Sequence, residues 1–229
     1  MENYAFGKTR GVYHFRNGGN LKIHAGFDHV PIIEVMLKKD YGVIPDKAVI
    51  VDIGASTGVF SIYAASTAKD VSIYAYEPSD GYFSTLKENV HLNGLDNSIH
   101  CFKNAVAGKN EKRSISIRSS TFIYPSLMPE QEGKQEVIDC ITLEKIFVDN
   151  KISSLDLLKM DCEGAEYEIF EQTPVSIMQK VKEIRMEYHN LDQDKNVSQL
   201  RSLLKEKGFE ETYFKATNEV FGNIWFRKV

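Results

Sequence analysis

The chain has 229 residues, 42% of them hydrophobic and 26% charged, which suits one α/β domain with a sizeable core. Its net charge of −4 argues against a general nucleic-acid binder, because such proteins usually present a basic stripe. The three cysteines are widely spaced and odd in number, so they indicate neither a disulfide framework nor a zinc site. No stretch approaches the roughly 18 consecutive apolar residues of a membrane span, and the N-terminus lacks the apolar core of a signal peptide. These features predict a cytoplasmic protein with no membrane span and no nucleic-acid partner.

Residues 1–46 are predicted to form an N-terminal extension made of a hairpin and a helix. The alternating residues 11–16 and the short run 21–24 read as strands, and residues 17–20 between them are a strong turn signal. Residues 30–39 have a helical pattern. Such an extension either caps a ligand cleft or covers one edge of the sheet, and the sequence favours neither.

A β-branched apolar run over residues 47–53 predicts a buried strand of a parallel sheet, and it opens a main domain that spans residues 47–229. A small-residue turn from Gly54 to Gly58 follows, and then a helix begins. Strand, turn and helix form the first half of a βαβ nucleotide site, because glycines let the backbone approach a ligand and the helix N-terminus offers free N–H groups. Ser56 stands where the fingerprint G-x-G-x-x-G has its middle glycine, so a pyrophosphate would approach less closely and NAD or FAD is disfavoured.

The second predicted strand, residues 71–76, ends in Glu77-Pro78-Ser79. An acid at the tip of this strand, roughly 20 residues past the glycine turn, suits a bidentate bond to ribose hydroxyls. Asn104 follows the third strand at the carboxyl end of the sheet, where it either contacts an adenine or simply forms a turn.

Strands and helices alternate along the rest of the chain. This alternation predicts an α/β fold, a Rossmann-like and mostly parallel seven-stranded sheet with helices on both faces and a C-terminal antiparallel hairpin. An outer strand is expected at 113–118 and a short strand at 137–140, and the loop 119–132 between them either recognises substrate or is disordered. The other predicted strands cover residues 99–102, 155–161, 183–189, 210–215 and 222–227, and the predicted helices begin near residues 59, 80, 142, 167 and 197.

Polar side chains are predicted to gather at the carboxyl edge of this sheet, where open α/β folds bind ligands. Asp161 and Glu163 follow the fourth parallel strand, and Glu187 and His189 end the fifth. Glu187 and His189 are two residues apart on a strand, so they face the same side. Three carboxylates and an imidazole at one edge are more than a fold needs, which makes them candidate catalytic residues. Glu163 and Glu166 are each explained equally well as a solvated loop charge or as a cap at the start of the next helix.

Several motifs resemble those of one family, in that family's order. The block K-M-D-C-E-G-A-E at residues 159–166 resembles the signature of the FkbM family of S-adenosylmethionine (SAM) dependent methyltransferases. The V-D-I-G-A-S-T-G block at 51–58 and Y-E-P at 76–78 are similar to its first two motifs. Residues 103–106 resemble a shortened form of its N-x-A-[LV] piece, and residues 187–189 resemble its E-x-H.

The resemblance implies O-methyl transfer from SAM to a hydroxyl of a small molecule, most often a sugar or a polyketide-like product. Asp161 is expected to orient the methionine end or the acceptor, His189 or Glu163 to act as the base, and Glu187 to orient the imidazole or the acceptor. Glu77 is expected to bind the ribose. The residues expected to bind the cofactor are Asp52, Gly54, Ala55, Ser56, Gly58, Glu77, Pro78, Ser79, Asn104, Ala105 and Asp161.

Several alternatives stay open at this point. The four polar residues at the sheet edge could instead hold Mg²⁺ or Mn²⁺, which would lower the pKa of the acceptor hydroxyl. An NAD(P)-dependent oxidoreductase is disfavoured because no Tyr-x-x-x-Lys pair is recognisable, and a domain that binds SAM without catalysis is disfavoured by the polar cluster. Phe27, His29 and Tyr124 could form a sugar platform or be ordinary packing residues. The terminal hairpin is a possible homodimer edge.

Overall fold

The computed structural model describes residues 11–14, 20–23, 32–38, 40–117 and 134–229. Three parts of the sequence predictions lie outside these ranges: the turn predicted at 17–20 except for Asn20, the loop at 119–132, and the platform residues Phe27, His29 and Tyr124. The strands are β1 (Gly11–His14), β2 (Asn20–Ile23), β3 (Val49–Ile53), β4 (Ser72–Tyr76), β5 (Ile99–Phe102), β6 (Ala105–Val106), β7 (Glu111–Ile117), β8 (Lys134–Ile141), β9 (Leu157–Met160), β10 (Glu183–His189), β11 (Phe209–Ala216) and β12 (Phe221–Lys228). The helices are α1 (Ile32–Leu37, of the π type), α2 (Val59–Thr67), α3 (Asp80–Leu92), α4 (Leu143–Asp149), α5 (Glu166–Gln172), α6 (Val175–Met178) and α7 (Val197–Glu206).

The main sheet has seven strands, as predicted, and their order is β11-β12-β10-β9-β3-β4-β5. The five strands from β10 to β5 are parallel, whereas β12 runs antiparallel to both of its neighbours, β10 and β11. The chain runs outward from β3 through β4 to β5 and then returns to β9 on the other side of β3. The crevice between the carboxyl ends of β3 and β9 is therefore a topological switch point, the place where such sheets bind ligands.

Helices cover both faces of the sheet because its central strands bury side chains on both sides. Val51 of β3 packs into a core with Phe170 of α5, and its neighbour Ile50 faces the other core. That second core contains Ile62 of α2 and Leu86 of α3, both fully buried. Neither α2 nor any other helix in the described ranges is long and apolar enough to cross a membrane.

A second, smaller sheet lies beside the main one, in the order β6-β8-β7. The outer strand predicted at 113–118 is β7, and the strand predicted at 137–140 is part of the longer β8, which pairs antiparallel with β7 and parallel with β6. Arg113 of β7 makes a two-pronged contact with Glu168 of α5, with N–O distances of 2.6 and 2.9 Å. This bidentate pair ties the small sheet to the main domain.

The N-terminal hairpin and helix pack on the same side of the sheet as α2 and α3. Leu21 of β2 is fully buried, and the amide of Asn89 on α3 donates to the carbonyl of Lys22 at 2.9 Å. Val35 of α1 joins the core that includes α2. Further along, the guanidinium of Arg185 on β10 donates to the carbonyl oxygen of Val43 at 2.9 Å. The predicted boundary at residue 46 stays a prediction.

Candidate active site

The glycine turn after β3 is held between the ends of two neighbouring strands. The backbone N–H groups of Gly54 and Ala55 both donate to the carbonyl of Tyr76 on β4, at 3.1 and 3.0 Å. Gly54 has φ +72°, and a Cβ there would overlap the carbonyl oxygen of Asp161 after β9. Glycine is required at this position by both its backbone angle and its close approach to β9.

Glu77 follows β4 and is bound by the backbone on both sides. Its Oε2 accepts the N–H of Ser56 at 3.0 Å, and its Oε1 accepts the N–H of Ser79 at 2.9 Å. Burial raises the pKa of Glu77 to about 7, although these two hydrogen bonds favour the ionised form. A carboxylate oxygen accepts two hydrogen bonds, so each oxygen keeps one acceptor position.

A cleft lies along the carboxyl ends of β3, β4 and β9. Seven of the predicted cofactor residues line it: Gly54, Ser56, Glu77, Pro78, Asn104, Ala105 and Asp161. Asp52, Ala55, Gly58 and Ser79 are not among its lining residues, and of the predicted catalytic set Glu163 lines it together with Asp161. Tyr82 and Ile138 also line it and were missed from the sequence. Tyr82 lies in the first turn of α3, shortly after Glu77. Its closeness in sequence to Glu77 is the one feature from which it could have been predicted.

Asp52 lies beneath the turn with no exposed surface. It contacts Lys159, which was not among the predicted site residues. The ammonium of Lys159 on β9 is 3.0 Å from Asp52 Oδ1, and the hydroxyl of Ser61 donates to Asp52 Oδ2 at 2.7 Å. Burial alone would lower the pKa of Lys159, but the charges of Asp52 and Asp161 raise it above its usual value. The sequence does contain one sign of this ion pair, because a lysine stands inside the otherwise apolar strand Leu157–Met160.

The structure brings the four predicted catalytic residues together. Ligand atoms of Asp161, Glu163, Glu187 and His189 all lie within 4.8 Å of one another. Nε2 of His189 is 3.3 Å from Glu187 Oε1 and 3.5 Å from Glu163 Oε2. The register that puts β10 next to β9 explains this meeting, because both strands end at the same edge.

Glu166 orients this imidazole from the other side. Its Oε1 is 2.7 Å from Nδ1 of His189, and Glu166 is fully buried at the start of α5. Burial alone would lower the pKa of His189, but its contacts with Glu166 and Glu187 raise it to about 11. The imidazole is therefore a cation at neutral pH that bridges several carboxylates. Glu166, which the sequence left as either a helix-start charge or a functional group, serves to hold it.

The two carboxyl groups close to Nε2 of His189, those of Glu163 and Glu187, have raised pKa values. Burial raises the pKa of Glu163 to about 8, and the charge of Asp161 adds to the effect. Burial likewise raises the pKa of Glu187 to about 7, again with a contribution from Asp161. A carboxyl with a pKa in this range can exchange a proton at the pH of the cell.

The N-terminal extension reaches the same cluster. Burial raises the pKa of Glu34 on α1, and the charge of Asp161 raises it further against the opposing effect of Lys38. Burial also raises the pKa of Tyr41, with further contributions from Asp161 and Glu187. Both side chains are thus close enough to feel the charges of the cluster, which places the extension on the polar end of the site.

A Rossmann-like sheet with a glycine turn and a strand-end acid at the switch point is typical of proteins that bind a nucleoside-containing cofactor. The comparisons with known proteins identify the class as the methyltransferases. The family model described as the Methyltransferase FkbM domain matches residues 52–211, well over half of the chain. The chain therefore belongs to the FkbM methyltransferase family.

Individual relatives agree with this assignment. Methyltransferase sdnD of Sordaria araneosa is 23% identical over 203 residues, which cover 76% of this chain and 78% of that protein. The crystal structure of Methyltransferase FkbM from Methylobacillus flagellatus superimposes with a TM-score of 0.57 at 14% identity, over 80% of this chain and 44% of that one. M. capricolum TrmK, solved with S-adenosyl-homocysteine, gives a TM-score of 0.52 at 19% identity, over 84% of this chain and 67% of that one. At these identities the two structures show that the fold is shared.

Proposed function

We propose that this methyltransferase transfers the methyl group of SAM to a hydroxyl of a small molecule, with a sugar or glycan-type compound as the acceptor. The observation that carries the proposal is Glu77, whose two oxygens each keep an acceptor position in a cleft beside the glycine turn. Two adjacent acceptors suit the two neighbouring hydroxyls of a ribose. The complex of TrmK with S-adenosyl-homocysteine supports the same use of this fold.

In this arrangement the ribose binds Glu77, the adenine lies towards Asn104 and Tyr82, and the methionine end lies towards Asp161. These residues line one continuous cleft. The reactive methyl group then faces Glu163, which lines the same cleft and belongs to the polar cluster. The enzyme's task is to align the acceptor oxygen with the methyl carbon and to remove the hydroxyl proton.

Glu163 is the better of the two expected bases. Its pKa of about 8 leaves a useful ionised fraction near neutral pH, whereas His189, with a pKa of about 11, already carries its proton. As the acceptor oxygen forms its bond to the methyl carbon, the carbon–sulfur bond breaks and its electron pair returns to sulfur. The hydroxyl proton passes to Glu163, and S-adenosylhomocysteine is released. His189 and Glu187 position Glu163 in this scheme.

Calorimetric titration with S-adenosylhomocysteine, using NAD as the matched control, tests the cofactor assignment. We expect micromolar binding of S-adenosylhomocysteine and no binding of NAD, because Ser56 replaces the glycine that a pyrophosphate would approach. Incubation with SAM and a panel of neutral sugars, followed by mass spectrometry, then tests the acceptor class. Binding of NAD alone would contradict the proposal, and methylation of other small-molecule hydroxyls but of no sugar would contradict its acceptor.

A second candidate is a version of the same reaction assisted by a divalent cation. The observation in its favour is the mixed oxygen and nitrogen ligand set of Asp161, Glu163, Glu187 and His189, within 4.8 Å. Such a set fits Mg²⁺ or Mn²⁺, which would act on the acceptor hydroxyl as a Lewis acid. The raised pKa of His189 opposes it, because a metal would first have to displace the proton of the imidazolium.

Exhaustive chelation separates the two versions. With Glu163 as the base, we expect turnover to survive dialysis against EDTA and the later addition of Mg²⁺ or Mn²⁺ to change it little. The control is S-adenosylhomocysteine affinity measured on the same dialysed sample, which reports whether the cofactor site stayed intact. Loss of turnover that either cation restores, with cofactor affinity unchanged, would instead establish the metal-assisted version.

A further inference from the structure

Lys159 is a charged residue whose side chain is almost fully buried. It lies on β9 at the centre of the sheet with 3% of its surface exposed, and its partner Asp52 has none. A buried ion pair is weak evidence of stability, because desolvation offsets the attraction and an apolar pair of similar volume often packs as well. The presence of this charge beneath the glycine turn therefore suggests a role other than stability.

The second contact of Lys159 points to that role. Its Nζ donates to the carbonyl oxygen of Gly54 at 2.9 Å, in addition to its 3.0 Å contact with Asp52. The rings of Tyr41 and Phe60 cover the ammonium, with their centroids 5.5 and 5.9 Å away. A lysine enclosed in this way has little freedom to move, so it fixes the carbonyl that it binds.

The Gly54 carbonyl controls the orientation of the turn that meets the cofactor. The N–H groups of Gly54 and Ala55 are already held by Tyr76, so the bond from Lys159 restrains the opposite side of the same peptide segment. Two residues later the N–H of Ser56 donates to Glu77 Oε2 at 3.0 Å. A rotation of the Gly54 peptide would therefore be transmitted to Ser56 and to the carboxylate expected to bind ribose.

We propose that Lys159 is a positioning residue for the cofactor, acting through its hydrogen bond to the Gly54 carbonyl rather than through its ion pair with Asp52. The proposal rests on the proposed function, since it assigns Lys159 to the SAM site. Lys159 does not line the cleft, so it acts on the cofactor through the turn. Asp52 then serves to neutralise the buried ammonium.

The test compares Asp52→Asn, Lys159→Met and the double variant carrying both. Lys159→Met alone leaves an uncompensated buried carboxylate, so we expect it to lower the urea midpoint of unfolding and to weaken S-adenosylhomocysteine binding. The double variant removes both charges, and we expect its midpoint to recover while its dissociation constant stays about tenfold above that of the wild type. Asp52 does not line the cleft. Asp52→Asn keeps the bond from Lys159 to Gly54 but leaves the buried ammonium uncompensated, so we expect its midpoint to fall while its dissociation constant rises less than that of the double variant.

Recovery of both stability and affinity in the double variant would overturn the proposal, because Lys159 would then be purely structural. An affinity loss in Asp52→Asn as large as that in the double variant would overturn it too, since the ion pair would be responsible. Hydrogen exchange of the Ser56 amide without cofactor gives an independent readout, and we expect faster exchange in the double variant but not in Asp52→Asn. This readout does not depend on cofactor binding, so failure of the wild type to bind S-adenosylhomocysteine would count against the proposed function alone.

Discussion

Glu163→Gln is expected to lower kcat for methyl transfer by about 10²- to 10⁴-fold, the usual contribution of a general base. The glutamine keeps the size of the side chain but cannot take the hydroxyl proton. Glu163 binds none of the backbone groups of the glycine turn, so S-adenosylhomocysteine affinity should change little. Calorimetry for the affinity and a methyl-transfer assay for kcat, run on the same preparation, measure the two effects separately.

Glu171→Gln is the matched control for this variant. Glu171 is an exposed residue near the end of α5, eight residues after Glu163, and its substitution makes the same change of charge. We expect it to leave kcat unchanged. A kcat of Glu163→Gln equal to that of Glu171→Gln would remove Glu163 as the base and return His189 or the metal-assisted version to consideration.

Glu77→Gln is expected to weaken S-adenosylhomocysteine binding about 100-fold, because charge-assisted hydrogen bonds to the ribose would be lost. The amide would also direct an NH₂ group at the N–H of either Ser56 or Ser79, where the carboxylate now accepts from both. Glu144→Gln, at an exposed position of α4, is the control and should bind as the wild type does. An unchanged dissociation constant in Glu77→Gln would remove the ribose assignment.

The affinity of the wild type should also depend on pH through Glu77. Its pKa of about 7 lies above the ordinary carboxyl value, so below pH 7 the free protein holds a proton that a ribose-binding carboxylate must release. Affinity is therefore expected to rise as pH increases through 7 and to level off above it, with binding at pH 6 about tenfold weaker than the plateau. Titrations near pH 7 in two buffers of different ionisation enthalpy should report proton release on binding.

Glu77→Gln also tests whether Glu77 causes this pH dependence of the affinity. The glutamine does not titrate, so its weaker affinity should be flat across the same pH range. A pH dependence retained in the variant would assign the effect to another group, and Glu187, with a pKa of about 7, would be the first to examine.

Glu77→Gln and Glu163→Gln are expected to act at different ends of the site. In the proposed arrangement Glu77 belongs to the end that holds the cofactor, and its replacement should act on affinity. Glu163 belongs to the end where the charges of Asp161, Glu187 and His189 meet, and its replacement should act on turnover. The charges at the second end also raise the pKa values of Glu34 and Tyr41 in the N-terminal extension, whose role as a cap stays a prediction.

The amino-acid sequence by itself determined the main sheet and the two polar stretches at its edge. Both depend on local patterns: the apolar run of β3 leads directly into the glycine turn, Asp161 follows the buried strand β9, and His189 ends β10. Once those strands are parallel, their carboxyl ends must meet at one edge, so the approximate grouping of site residues follows from chain order. The family resemblance rests on the same short blocks and agrees with the domain match over residues 52–211.

The tertiary structure alone decided which of these groups contact one another. Lys159 reaches Asp52 and Gly54 across more than a hundred residues of chain, and Glu166 meets His189 through the packing of α5 against β10. Ile138 enters the cleft because β8 belongs to a separate small sheet. Contacts of this kind depend on strand order, register and side-chain burial, which no short window of sequence contains. Burial raises the pKa of Glu163, whereas the contacts with Glu166 and Glu187 raise the pKa of His189 against the effect of its burial, and together these effects decide which of the two can accept a proton.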